Sequence, residues 1–323
     1  MAEIGTDVFK AAEWLKHGLV GMPTETVYGL AGNALDPERL VDIFEVKNRP
    51  FFDPLIVHVP TIESLSSLIA HFPPVLKVLA EHFWPGPLTL LLPRSDKIPD
   101  LVTSGLPEAA FRVPAHPMAL ALLHECTFPL AAPSANPFGY ISPTTAQHVN
   151  DQLGAAIPYI LDGGSCRVGL ESTIVGLLDG TPTVFRLGGL SIADIEAVIG
   201  PVNINTNTSS NPRAPGALKS HYAPSKPLLF GKIDSLLETH RNSNPLLLVF
   251  GPLKQGYPAE RQLSLSLTYD LKEAAARLFA MLREADTMDA SLILAEELPA
   301  QGLGLAINDR LRRAAASDED NAR

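Results

Sequence analysis

The chain predicts an α/β fold: a mixed, twisted open sheet, followed by a second, smaller Rossmann-like α/β domain. Three observations carry this expectation. Helix-like and strand-like stretches alternate over the first 200 residues. Several successive strand candidates lie too close for a helical crossover, which argues against a purely parallel sheet. The alternation then restarts after a segment with little periodicity.

Taken in order, Asp7 can cap a helix over residues 8–17, stopped by Gly18. Residues 19–22 read as a strand entering a turn at Pro23. Asp36, Pro37 and Glu38 start a helix along which Leu40, Ile43, Phe44 and Lys47 are spaced. Residues 55–59, 88–92, 160–161, 173–175 and 184–186 are strand candidates. Ser142 and Pro143 are expected to open a helix through about Asn150, and Ser191 with Asp194 forms a capping box for one ending near Gly200. Residues 1–200 are therefore expected to form one domain.

Residues 201–227, rich in Pro, Asn, Ser and Thr, read as a linker. Residues 228–323 form the second unit, with strands expected at 228–230, 246–250 and 291–294. Helices are expected from Ile233 and over 271–286, and the tail 317–323 is expected to fray.

The 323 residues exceed what a single core needs, and 46% hydrophobic content fits a globular chain. No apolar run reaches the roughly 18 residues needed to cross a bilayer, and no secretory signal is visible, so no membrane association is expected. The only cysteines, Cys126 and Cys166, lack metal-ligand spacing, and a reducing cytoplasm is the expected location. Net charge is −10, which argues against a basic-patch nucleic-acid binder. Residues 1–200 hold 11 basic and 21 acidic residues, and residues 228–323 hold 11 and 14. The linker holds 3 basic and no acidic residues, so it is either a solvated connector or a segment that meets an anion.

GxxxxGK[ST], HExxH and GxSxG are all absent. Gly302 and Gly304 lack the rest of a dinucleotide fingerprint. What remains is a series of short polar segments. PTETVYGL (23–30) packs two hydroxyls, a carboxylate and a phenol after a strand, and alone it also reads as an ordinary turn. Lys47 and Arg49, where a helix meets Pro50, are placed to grip phosphate oxygens, or to sit in solvent at a helix end. Arg112, inside a strand-like run, needs an anionic partner from the fold or from a ligand. APSAN (132–136), SPT (142–144), EST (171–173) and FRLG (185–188) set hydroxyls and N–H groups where strands and helices begin or end.

In combination, these segments resemble the YrdC-like family of L-threonylcarbamoyl-AMP synthases in its longer two-domain form. DPLIVH (53–58), FRVPAHP (111–117) and PG…HYAP (215–224) complete a match that spans about 200 positions in the family's order. The resemblance implies a YrdC-like first domain and an enzyme that joins L-threonine, bicarbonate and ATP into threonylcarbamoyl-AMP and pyrophosphate. It also implies Mg²⁺ with the nucleotide, no protein-held metal, and downstream proteins that transfer the threonylcarbamoyl group to tRNA. Contact of this chain with tRNA or double-stranded RNA is expected to be weak at most.

Carried over by position, the resemblance implies Lys47 and Arg49 on the triphosphate as catalytic cations. Asp53, Ser134, Asn136, Ser142, Arg186 and Tyr222 would contact ATP, with Tyr222 closing over the nucleotide. Thr26, His58, Arg112, Ser172 and the backbone of Ala132 would hold threonine. Asp53 stands where the family usually has asparagine, which suggests a site for Mg²⁺, and Glu108 stands for a frequent threonine. Two other readings are carbamoyl-adenylate chemistry on another acceptor and an RNA-binding module. The missing Cys-rich zinc segment argues against the first, and the acidic balance argues against the second.

Overall fold

Capping chemistry places the helices of the first unit. The computed structural model describes residues 1–206 and 221–316. The Asp7 carboxylate accepts from the Lys10 amide at 3.0 Å and opens α1 (Val8–Leu15), which ends two residues before the expected stop. Asp36 caps α2 (Pro37–Lys47), and Asn48 closes it in the left-handed conformation, φ 51°. α3 (Pro74–Phe83), α4 (Asp100–Thr103) and α5 (Pro117–Glu125) follow. α6 (Ala146–Leu153) starts four residues later than the sequence suggests. Residues 142–144 are held by other contacts: the Ser142 hydroxyl by Glu171, the Pro143 carbonyl by the Tyr28 amide, and the Thr144 carbonyl by the Cys166 amide. Thr145 is the residue that caps. α7 (Ile192–Ile199) begins at the expected Ser191 cap.

One eleven-stranded mixed sheet runs through this unit. Its strands are β1 (Glu3–Gly5), β2 (Val20–Met22), β3 (Gly29–Asn33), β4 (Ile56–His58), β5 (Leu88–Pro93), β6 (Glu108–Arg112), β7 (Leu130–Ala131), β8 (Tyr159–Leu161), β9 (Thr173–Leu178), β10 (Thr181–Arg186) and β11 (Asn203–Ile204). Their order is β1-β8-β2-β3-β7-β4-β6-β5-β9-β10-β11. β4 lies parallel to β6 and β5 to β9, while β5 with β6 and β9 with β10 are antiparallel. β11 pairs with the middle of β10, so the sheet extends into the segment expected to be a linker. Period-two alternation makes two cores. Leu30 joins the cluster with Leu40, Phe44 and Leu90, whereas its neighbour Ala31 packs with Leu15 and Leu122 on the opposite face.

The second unit is a four-stranded parallel sheet, as the pattern suggested. Its order is β12 (Leu228–Gly231), β15 (Ile293–Glu296), β13 (Leu246–Val249), β14 (Gln262–Ser264). α8 (Ile233–His240) covers one face through Ile233, which meets Leu247 and Val249. α9 (Leu271–Thr287) and α10 (Leu303–Ala314) cover the other face, which carries Leu246 and Leu248. That second core does not stop at the unit's edge. Val27, Ile141, Leu170 and Tyr222 pack into it, which docks α9 and α10 against the first unit. The expected fraying of 317–323 and most of the basic connector, 207–220, lie outside the described residues.

Leu90, on the central strand β5, faces Phe111 and Val175 in register and is fully buried. Leu90→Ala is expected to lower stability by about 2–5 kcal/mol in urea unfolding. A loss below about 1 kcal/mol would contradict this packing.

Candidate active site

Strand register brings the first polar pair together. In the parallel β4–β6 pair His58 lies opposite Arg112, so both strands deliver a polar residue at the same end. The β2–β3 loop supplies the next. The Thr24 hydroxyl accepts from the amides of Thr26 and Val27 and donates to the Val27 carbonyl at 2.6 Å. This is the ordinary turn chemistry, and it aims Thr26. The Thr26 hydroxyl accepts from Arg112 Nη1 at 2.9 Å. Arg112 also donates Nε to the Gly86 carbonyl at 3.1 Å and pairs with Glu25 Oε1 at 2.7 Å. The anionic partner that a buried arginine requires is thus partly supplied by the fold.

Arg49 is fastened in the same manner. It donates to the carbonyls of Asp53 and Pro54 and pairs with the Asp53 carboxylate at 2.8 Å. Arg186, at the end of β10, donates to the Ser172 carbonyl and to its hydroxyl at 3.0 Å. The Ser172 hydroxyl in turn lies 2.7 Å from that of Thr89. Burial lowers the Arg186 guanidinium to about 10, still protonated at neutral pH.

These groups wall one cavity of about 50 Å³. Of the residues singled out from the sequence, Thr26, Arg49, His58, Arg112 and Ala132 line it. So do Ser134, Ser172, Arg186 and Tyr222. The Ala132 amide is committed to the Ile56 carbonyl, which leaves its own carbonyl as the backbone group for a ligand.

Four expected contacts lie behind the wall. Lys47 is buried there, its ammonium donating to the carbonyls of Ser134 and Asn136. Asn136 is held in turn, its amide donating to the carbonyls of Pro137 and Tyr140. Ser142 donates to Glu171 Oε1 at 2.7 Å, and neither it nor Thr144 stands at a helix start that could bind an anion. Asp53 is fully buried, and its carboxylate is engaged by Arg49. Among the described residues no cluster of His, Cys, Asp or Glu is arranged to hold a metal. Glu108 opens β6 opposite Pro93, outside the wall.

The sequence reading left several participants without a role. Glu25 and Glu171 sit inside quoted motifs but declare nothing until their partners are known. Burial would raise the Glu171 carboxyl, yet Arg310, Arg186 and the Ser142 hydroxyl outweigh it and hold it below the usual range. Arg310, on α10, is 139 residues away in the chain and reaches Glu171 Oε2 at 2.9 Å. No sequence signal foretells that pair. His221 also lines the wall beside Tyr222. Around the cavity, Lys47, Arg49, Arg112, Arg186 and Arg310 outnumber Glu25, Asp53 and Glu171, so an acidic chain builds a cationic interior.

Residues 13–188 match a family described as telomere recombination, and residues 190–316 match the threonylcarbamoyl-AMP synthase C-terminal domain. The threonylcarbamoyl-AMP synthase of Pyrococcus abyssi is 41% identical over 318 residues, covering 94% of this chain and 92% of its own. That of Bacillus subtilis is 39% identical over 320 residues, covering 95% and 92%. The crystal structure of P. abyssi Sua5 complexed with L-threonine superposes with a TM-score of 0.91 at 37% identity, covering 98% of this chain and 97% of that one. Fold and cavity together define an enzyme of the two-domain YrdC-like class. More particularly, the chain belongs to the threonylcarbamoyl-AMP synthase family. No helix of the described residues is long and apolar enough to cross a membrane.

Burial first, and Arg112 second, push the His58 imidazole down to about 3, so it stays neutral in the folded protein through the physiological range. In the unfolded chain it takes up a proton below about pH 6.5, so folding loses stability from this group as pH falls below that point. In a histidine NMR titration, the resonance lost in His58→Gln is expected to keep its neutral shift to below pH 4. A midpoint near 6.5 would contradict the buried placement.

Proposed function

We propose that the cavity wall holds L-threonine beside the α-phosphate of ATP, in the formation of threonylcarbamoyl-AMP. One observation carries this reading: Arg49, Arg112 and Arg186 converge with Thr26, Ser134 and Ser172 on a single space. A cluster of fixed cations with no nucleophile and base pair suits anions that must react with each other. Arg112, already bonded to Thr26, takes the threonine carboxylate as a fork. Neutral His58, whose Nδ1 has no hydrogen-bond partner among the described residues, accepts from the amino-acid ligand. Ser172 and the carbonyl of Ala132 complete that half.

The other half faces the nucleotide. The carbamate oxygen formed from the threonine amine and bicarbonate attacks the α-phosphorus. The bond to the β-phosphate oxygen breaks, and pyrophosphate leaves with its charge. Arg49, Arg186 and Ser134 offset that charge, while Lys47 and Asn136 brace the Ser134 loop from behind. Mg²⁺ enters this reading only as the counter-ion of the triphosphate, since Asp53 is engaged by Arg49.

Tyr222 and His221 line the same cavity and would close over the nucleotide. Residues 1–200 then act as the catalytic unit, 201–227 as a basic connector and lid, and 228–323 as the platform on which the lid rests. The product passes in the cytoplasm to proteins that transfer threonylcarbamoyl to tRNA, with weak contact at most between this chain and tRNA or double-stranded RNA.

Pyrophosphate release is expected only when ATP, bicarbonate and L-threonine are all present, and a threonine-independent rate would sink the reading. Arg112→Ala is expected to weaken threonine binding by roughly 2–4 kcal/mol while ATP binding changes less. Calorimetric titration of each ligand checks this, with a thermal melt to control for the uncovered Glu25. Equal loss of both ligands in a folded variant contradicts the assignment.

A further inference from the structure

Among the described residues Arg310 is the largest fully buried side chain, and it belongs to the second unit. Its guanidinium is divided among three partners. Nε pairs with Glu171 Oε2 at 2.9 Å, Nη2 donates to the Leu187 carbonyl at 2.7 Å, and Nη1 pairs with Asp309 at 2.7 Å. Its Cζ also lies 5.1 Å from the centre of the Tyr222 ring. Two of these contacts fall on residues adjoining Ser172 and Arg186 in the chain, and Tyr222 and Glu171 are themselves part of the cavity wall.

Glu171 poses a problem that this contact does most to resolve. A buried carboxylate in the wall of a site for a polyphosphate would repel the ligand, and it is too enclosed for water to screen it. Ser142 supplies one hydrogen bond but no charge. Arg186 lies near and adds its field, while it also donates to the carbonyl and hydroxyl of Ser172. The direct counter-charge comes from Arg310 across the interface between the two units.

We infer that Arg310 is a positioning residue for nucleotide binding: from the second unit, it cancels the Glu171 charge in the cavity wall and holds the Tyr222 ring in place. This rests on the reading that the Arg49–Arg186 side of the cavity takes the phosphates of ATP. It gives the second unit a part in the reaction beyond carrying the connector. Removing the arginine leaves an uncompensated anion in the wall, whereas removing both members of the pair leaves a neutral wall. The effect therefore falls on ATP rather than on threonine, and it reverses when Glu171 is neutralised.

The test is a double-mutant cycle on the full-length protein, with pyrophosphate release read against ATP and L-threonine separately. Arg310→Met is expected to raise the KM for ATP at least tenfold and that for threonine less than threefold. Glu171→Gln/Arg310→Met is expected to bring the ATP KM back to within about threefold of the parent. Arg310→Lys, which keeps the charge and loses the fork, should raise it less than Arg310→Met. Circular dichroism shows which variants are folded; if Arg310→Met is not, the folded double variant and Arg310→Lys decide. A double variant with the ATP KM still raised tenfold, a matched rise for both substrates, or an unchanged ATP KM in folded Arg310→Met overturns the inference. Failure of the parent to saturate with ATP would instead overturn the underlying reading of the cavity.

Discussion

The site depends on keeping cations buried without letting the fold neutralise them completely. Bringing an arginine out of water is expensive unless each N–H finds a partner, and a carboxylate partner would remove the charge a ligand needs. The protein holds its arginines by both means: Arg49, Arg112 and Arg310 each meet a carboxylate, and carbonyls and hydroxyls take further N–H groups. Arg186 is held by Ser172, and Arg112 by the Gly86 carbonyl and the Thr26 hydroxyl, with Glu25 on one edge. Lys47 uses carbonyls among its bonded partners. Where neutral oxygens take the donors the positive field is kept, so basic groups gather round the cavity while the whole chain carries −10.

The sheet is the instrument that makes such spacing possible. A parallel β4–β6 pair aligns His58 with Arg112, and the antiparallel β9–β10 pair returns Arg186 to the start of β9, beside Ser172. The Gly188 backbone runs so near that a Cβ there would stand 2.3 Å from the Glu171 carbonyl. Any bulkier residue would push apart the two segments that carry Ser172 and Arg186. Mixed strand direction is therefore what gathers residues from both chain directions at one end of the sheet.

Much of this was legible in the sequence, for reasons that differ by element. Asp7, Asp36 and Ser191 announce helix starts because a side-chain cap is a local interaction. The strands around 55–59 and 88–92 were visible because both faces are buried and the letters are continuously apolar. The helix expected from Ser142 failed because that hydroxyl is claimed by Glu171, a partner 29 residues away. Lys47, Asn136 and Asp53 are legible in the sequence as polar residues, but they are buried behind the cavity wall, and their orientation depends on tertiary partners that spacing does not reveal. Arg310 was invisible for the same reason, since nothing in the RLRRA sequence of α10 distinguishes it from the neighbouring Arg312 and Arg313.

The two units accordingly behave as one enclosure, with a wall from the sheet and a closing side backed by α9 and α10. Phe279 stacks on Tyr222 at 5.4 Å, and the Arg313 carbonyl accepts from the His221 amide. A crystal structure of this protein grown with ATP and L-threonine tests the central claim most directly. The account predicts the threonine carboxylate on Arg112, the phosphates between Arg49 and Arg186, and the amine facing the α-phosphorus. Ligands seated at separate surfaces, with Arg112 and Arg186 untouched, would contradict it.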